Sequence, residues 1–118
     1  MRHEPSYLKD ILSACAKIEA IVAATSEELF LKDEVLPAAV LHHLTVIGEA
    51  VSHLSDELRE RHTQVPWKKI VAIRHRIVHA YFDLDWQILW DAAIGDIPEL
   101  RQQLAEILKA EFPESSSS

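Results

Sequence analysis

One cysteine and two glycines in 118 residues exclude several kinds of protein at the outset. A lone thiol, Cys15, can neither close an intramolecular disulfide nor build a cysteine-based metal cluster. That suits a reducing cytoplasm and a thiol used as core filler. Gly48 and Gly95, with five scattered prolines, cannot supply the turns that an all-β chain needs every ten or so residues. The opening stretch MRHEPSYLKD has no apolar signal core, and no run of eighteen apolar residues occurs, so neither export nor a membrane span is expected. The net charge of −7 argues against non-specific binding to duplex DNA, which depends on a broad positive surface.

What is present is a helical pattern. The chain is 48% hydrophobic and of a length that suits one domain, expected over residues 1–112, with the serine-rich 113–118 as a disordered tail. Ser6 is a plausible cap for a first helix in which Tyr7, Leu8, Ile11, Leu12, Cys15, Ile18, Ile21 and Val22 recur at helical spacing. Ser26 with EELF reads as a short helical turn. A third helix starts near Asp33 and carries Val40, Leu44, Ile47, Val51, Leu54 and Leu58 in steps of three and four, with Ser55 restarting it as a separate turn. Pro66 opens the segment WKKIVAIRHRIVHAY, since proline fits a first helical turn.

Asp83 or Asp85 can cap the last helix. There Trp86, Trp90, Ala93, Ile97, Leu100, Leu104 and Ile107 keep one phase through Pro98, which predicts one long helix kinked at GDIP. The expected fold is therefore all-α, an up-and-down bundle of four to five helices. Its seams are long for so short a chain, so a second copy is expected to cover part of them.

Charge is distributed unevenly. Arg59, Arg61, Lys68, Lys69, Arg74 and Arg76 stand against Glu60 alone between residues 59 and 79, a local balance of +5 that leaves −12 for the rest. Within this island RHRIVHAY, residues 74–81, gathers two arginines, two histidines and a tyrosine. On an ideal helix Arg74 and Tyr81 fall inside the apolar stripe of Trp67, Ile70, Val71, Ile73, Ile77 and Val78. A guanidinium there must be paired. It either meets a carboxylate such as Glu49 or lines a cleft that an anion enters.

His79 lies about 140° around the helix from Arg74, so one straight helix does not bring the two together. Either the helix ends or distorts near His79, or two chains set their motifs face to face. The chemistry these side chains suit is phosphoryl transfer at RNA. A histidine takes the proton of a ribose 2′-hydroxyl, an arginine grips the phosphate oxygens, and the reaction requires no metal and no cofactor.

The motif RHRIVHAY has the R-x4-H-x-Y form found in the HEPN superfamily, with Arg74, His79 and Tyr81 at its defining positions. The segments VIGEAVSHLSDELRERH, VPWKKIVAIRHRIVHAYFDLDWQILWD and DIPELRQQLAEIL follow in the same order as in HepT-like toxins, and the chain resembles that family over roughly residues 7 to 109. The resemblance implies a HEPN-type, homodimeric, metal-independent endoribonuclease. It would be the toxin of a toxin–antitoxin pair, with Arg74 and His79 as the catalytic pair in a cleft between protomers.

The resemblance further implies an MntA-like nucleotidyltransferase antitoxin that adds AMP to Tyr81, placing a bulky anion beside the cleft. His75 stands where asparagine or aspartate is also common, which leaves open whether it orients His79 or touches substrate. Lys68, Lys69 and Arg76 point away from the Arg74 face and suit RNA or antitoxin contact. The alternative is a HEPN module without turnover, whose cleft binds a nucleotide or partner and regulates a nucleotidyltransferase. His42, His43 and His53 form no clear metal-ligand set. Trp67, Trp86 and Trp90 read as core or dimer anchors.

Overall fold

The structure, a computed structural model, describes the backbone of residues 3–79 and 86–116 and the side chains of residues 3–73 and 86–115. Its elements are α1 (Glu4–Ala23), α2 (Glu27–Lys32), α3 (Val35–Ser52), α4 (Asp56–Arg61), α5 (Trp67–His79), α6 (Trp86–Asp91), a π-helical turn (Ala92–Asp96), α7 (Ile97–Glu111) and α8 (Pro113–Ser116). The described residues contain no strand, and the protein is all-α as its turn-poor sequence predicts.

Short polar side chains set three of the helix starts. Ser26 Oγ accepts from the Leu29 amide at 3.2 Å, and Ser55 Oγ from the Leu58 amide at 3.2 Å. Asp33 Oδ1 takes the amides of Val35 and Leu36 at 2.7 and 3.0 Å. Each oxygen satisfies an N–H that has no partner within its own helix. The first helix departs from expectation. It starts at Glu4, with His3 in the capping position, and Ser6 already lies in the first turn, its amide donating to the His3 carbonyl at 3.0 Å. Pro5 explains the earlier start, because its missing N–H costs nothing in that turn.

From Trp86 to Glu111 the chain is helical throughout, and the disturbance at GDIP is a π turn in which the Ile97 amide reaches back five residues to the Ala92 carbonyl. Pro98 supplies the cause: it has no N–H to offer the carbonyl of Ile94, so the ladder widens by one residue just before it.

Side-chain pairs fix the directions of the long helices. At one end of the bundle the Tyr7 ring, early in α1, stacks on the ring of His53, which caps the end of α3, with centroids 4.9 Å apart. Glu4 Oε1 also accepts from the Ser55 amide at 2.8 Å. At the other end of α1, Glu19 Oε2 accepts from Arg101 Nε near the start of α7 at 2.7 Å. Thus α1 runs antiparallel to both α3 and α7. On its other flank α3 packs against α5.

The core fills the space between these helices. Leu8, Ile11, Cys15 and Ile18 from α1 are fully enclosed, with Val40 and Val51 from α3, Phe30 from α2 and Leu104 from α7. Burial pushes the Cys15 thiol up to about 12, with Glu19 adding to the effect, so this cysteine serves as apolar filler. Over Val35–Ser52 the mean hydropathy is 1.4, a length and composition that would also suit a membrane span. Packing between α1 and α5 accounts for that apolarity, since Val40, Leu44, Ile47 and Val51 all point into the core.

Candidate functional site

Helix α5 carries the arginine and histidine motif, and the turn before it is built firmly. Trp67 is buried, and its indole N–H is shared between the carbonyls of Arg59 at 3.1 Å and His62 at 2.9 Å. Val65 is buried beside it, and the Ile70 amide returns to the Pro66 carbonyl at 3.1 Å to close the first turn. The tryptophan is therefore a structural anchor that sets where α5 begins. Trp90 has a similar role, buried against Phe30 with ring centroids 5.2 Å apart.

From Trp67 the backbone is α-helical through His79. The 140° offset between positions 74 and 79 therefore stands, with no π or 3₁₀ turn between them to reduce it. The side chains of Arg74, His75, Arg76 and His79 lie outside the described residues, as does Tyr81 altogether. So do Asp83 and Asp85, named as caps for the last helix. Glu49, the carboxylate named as a partner for Arg74, lies 3.2 Å from His53 Nε2, with both side chains about half exposed.

The basic island divides into two groups. Arg59 pairs with Asp56 at 2.7 Å on the same helix. Arg61 reaches across the molecule and grips Glu111 with two parallel bonds, Nε at 2.9 Å and Nη2 at 2.6 Å. His62 Nε2 closes on the same carboxylate. The Arg61 hydrogen bonds, joined by that of His62, hold the Glu111 carboxyl down at about 2. These cations serve the fold. Lys68 and Lys69, by contrast, are exposed at the start of α5 and form no ion pair among the described residues.

Two depressions flank this region. One is a groove on α1 and α3, where the stacked Tyr7 and His53 stand beside Asp10, His42 and Glu49. The other is a cleft of about 260 Å³ where α3 and α5 meet the π turn and the start of α7, with Lys69 at its lip. Neither was legible in the sequence. Both join residues more than thirty positions apart, and no local spacing encodes that proximity. His43, outside both, is kept toward its neutral form by burial and by the nearby His42.

Comparison with known proteins identifies the family. The family model described as ribonuclease HepT-like matches residues 11–107. A protein of Caldanaerobacter subterraneus subsp. tengcongensis, described as a candidate RNase, is 41% identical over 94% of this chain and 99% of its own length. Another candidate RNase, from Methanocaldococcus jannaschii, is 35% identical over 88% of this chain and 86% of its own. A probable ribonuclease HepT of Thermococcus cleftensis is 32% identical over 92% of this chain and 98% of its own. No solved structure matches the chain significantly. A family model that spans most of the sequence, and relatives matched nearly end to end, establish that this chain belongs to the HepT-like ribonuclease family of the HEPN superfamily.

Proposed function

We propose that the chain is a metal-independent endoribonuclease, the toxin of a HepT/MntA-type pair, acting in the cytoplasm as a homodimer. The observation that carries this reading is the R-x4-H-x-Y motif, with its arginine and histidine positions on α5, in a chain of this family. In the proposed reaction His79 removes the proton of a ribose 2′-hydroxyl. The 2′-oxygen attacks the adjacent phosphorus, and the 5′-oxygen departs with a proton, leaving a 2′,3′-cyclic phosphate and a 5′-hydroxyl. Arg74 steadies the phosphate oxygens as charge builds on them. DNA lacks the nucleophile and is inert.

The angular offset between Arg74 and His79 favours a cleft shared by two protomers, each supplying one motif, with His75 beside the chemistry and Lys68, Lys69 and Arg76 toward the RNA or the antitoxin. Tyr81 is the residue that an MntA-like nucleotidyltransferase modifies with AMP. The added phosphate repels RNA and closes the site.

The deciding experiment incubates purified chain with mixed RNA in chelator, beside Arg74→Ala and His79→Ala, after intact mass confirms that Tyr81 is unmodified. Cleavage by the wild type, reduced at least 100-fold in each variant, is the expected result. A folded, unmodified wild type that cleaves none of a broad set of RNAs would leave the binding module as the better account.

A further inference from the structure

Apart from Lys69, placed above at the RNA, the cleft between α3, α5 and the start of α7 has no part in the chemistry above. Its floor is apolar, formed by Leu44, Ile47, Ile70, Ile73, Ile97 and Leu100. Its lip carries Lys69 from α5, Asp96 from the π turn and Glu99 from α7, all three exposed. Among the described residues none of these three side chains has a hydrogen-bond or ion-pair partner. At about 260 Å³ the space lies just under the usual range of about 300–1,000 Å³ for ligand pockets and suits a single ring system, not a whole nucleotide.

Such a slot suits a flat ring with apolar faces and a polar edge. Its lip specifies which edge. Ionised carboxylates only accept hydrogen bonds, and a lysine ammonium only donates. Guanine presents two adjacent donors, N1–H and the N2 amino group, beside two acceptors, O6 and N7. Adenine and cytosine each place one amino group next to an acceptor, and uracil has a single N–H between two acceptors. Two carboxylates and one ammonium thus match guanine better than any other base of RNA. Lysine is also a recurrent partner of O6 and N7.

Position supports a role in substrate choice. Lys69 and Arg74 are five residues apart on α5, about 8 Å along the axis and about 140° around it, so a strand seated in the cleft would curve around α5 over about two nucleotide steps to reach the motif. The carboxylates at the lip repel phosphate, so a base would enter while its backbone stays outside, toward the basic motif.

We propose that this cleft binds a guanine base of single-stranded RNA, with Asp96 and Glu99 accepting from N1–H and N2–H and Lys69 donating to O6 or N7. As a determinant of cleavage position it rests on the ribonuclease reading; as a guanine site it does not.

The test titrates the full chain with GMP, AMP, CMP and UMP, following the methyl resonances of Ile70, Ile97 and Leu100. GMP is expected to bind about tenfold more tightly than the other three. The Asp96→Ala/Glu99→Ala variant should lose that preference with its melting temperature unchanged, since both residues are exposed. Equal binding of all four nucleotides, or a GMP preference that survives in the variant, overturns the proposal. Cleavage sites mapped on one RNA separate the two readings. A GMP preference without cleavage leaves the guanine site standing and removes the ribonuclease, whereas cleavage without a GMP preference does the reverse. If both hold, cuts should fall at a fixed offset from guanine in the wild type and scatter in the variant.

Discussion

Glu111 shows what one carboxylate can do in a protein of this size. It receives Arg61 and His62 from a segment fifty residues earlier, and its ionised form is favoured because both partners donate to it. Its pKa falls from an ordinary 4.5 to about 2 on folding, so its contribution is complete above about pH 5 and disappears as the pH drops toward 2. Glu111→Gln is expected to lower stability by about 1 kcal/mol at neutral pH, a small value because the bonds lie near solvent. The variant should also show a flatter loss of melting temperature between pH 5 and pH 2 than the wild type. Parallel melting curves over that range would show that the pair contributes nothing. Cys15, enclosed and with its thiol pKa near 12, should resist thiol reagents in the native protein and react at the rate of global opening once mild denaturant is added.

Among the elements, those with a local polar signal were readable from sequence. Ser26, Asp33 and Ser55 each stand before an apolar-periodic run, and each caps the helix expected there. The continuous phase from Trp86 to Ile107 identified one long helical stretch. A missing N–H at Pro98 is a local property too, although the π turn it produces is a finer detail than periodicity conveys. Ser6 misled because two signals competed, and Pro5 in the first turn outweighed a hydroxyl one residue later.

The sequence did not reveal the long-range ties. Arg59 and Arg61 counted toward a functional basic island, whereas their partners, one on the same helix and one at the far end of α7, make them structural. Charge counting along a sequence cannot see a partner fifty residues away. Ser55 is joined from both sides, its hydroxyl to Leu58 and its amide to Glu4. Ser55→Ala should therefore cost about 1 kcal/mol through the lost cap, whereas Glu4→Gln, which keeps an oxygen acceptor, should cost less. Thermal melts of the two variants compare them directly, and equal losses would show that the bond from α1 matters as much as the cap.

For the whole molecule, the balance of apolar surface points beyond one chain. Leu29, Val35, Ile88 and Ile94 are each more than half exposed, whereas the other bulky apolar residues among those described are mostly enclosed or half covered. The proposed cleft between protomers and this uncovered surface lead to the same expectation. Sedimentation should give the mass of two copies, and Ile88→Asp with Ile94→Asp should shift it toward one if these residues lie in the contact. A single-copy mass at every concentration would remove the shared cleft and require His79 and Arg74 to act from one helix.

The short helix α4 has a consequence for how the bundle is strung together. The start of α1 is tied to Ser55 at one end of α4 by Glu4, and the end of α7 is tied to Arg61 at the other end by Glu111. Six residues of helix separate those two points, about 9 Å at 1.5 Å per residue. The path of the chain thus comes close to closing on itself, and a linker of a few residues could join Phe112 to His3 at the loss of the short α8 alone. A circularly permuted chain reopened in the exposed turn at Thr63 and Gln64 would then keep every packed pair of helices from α1 to α7, because the arrangement is very nearly a ring whose opening can be moved.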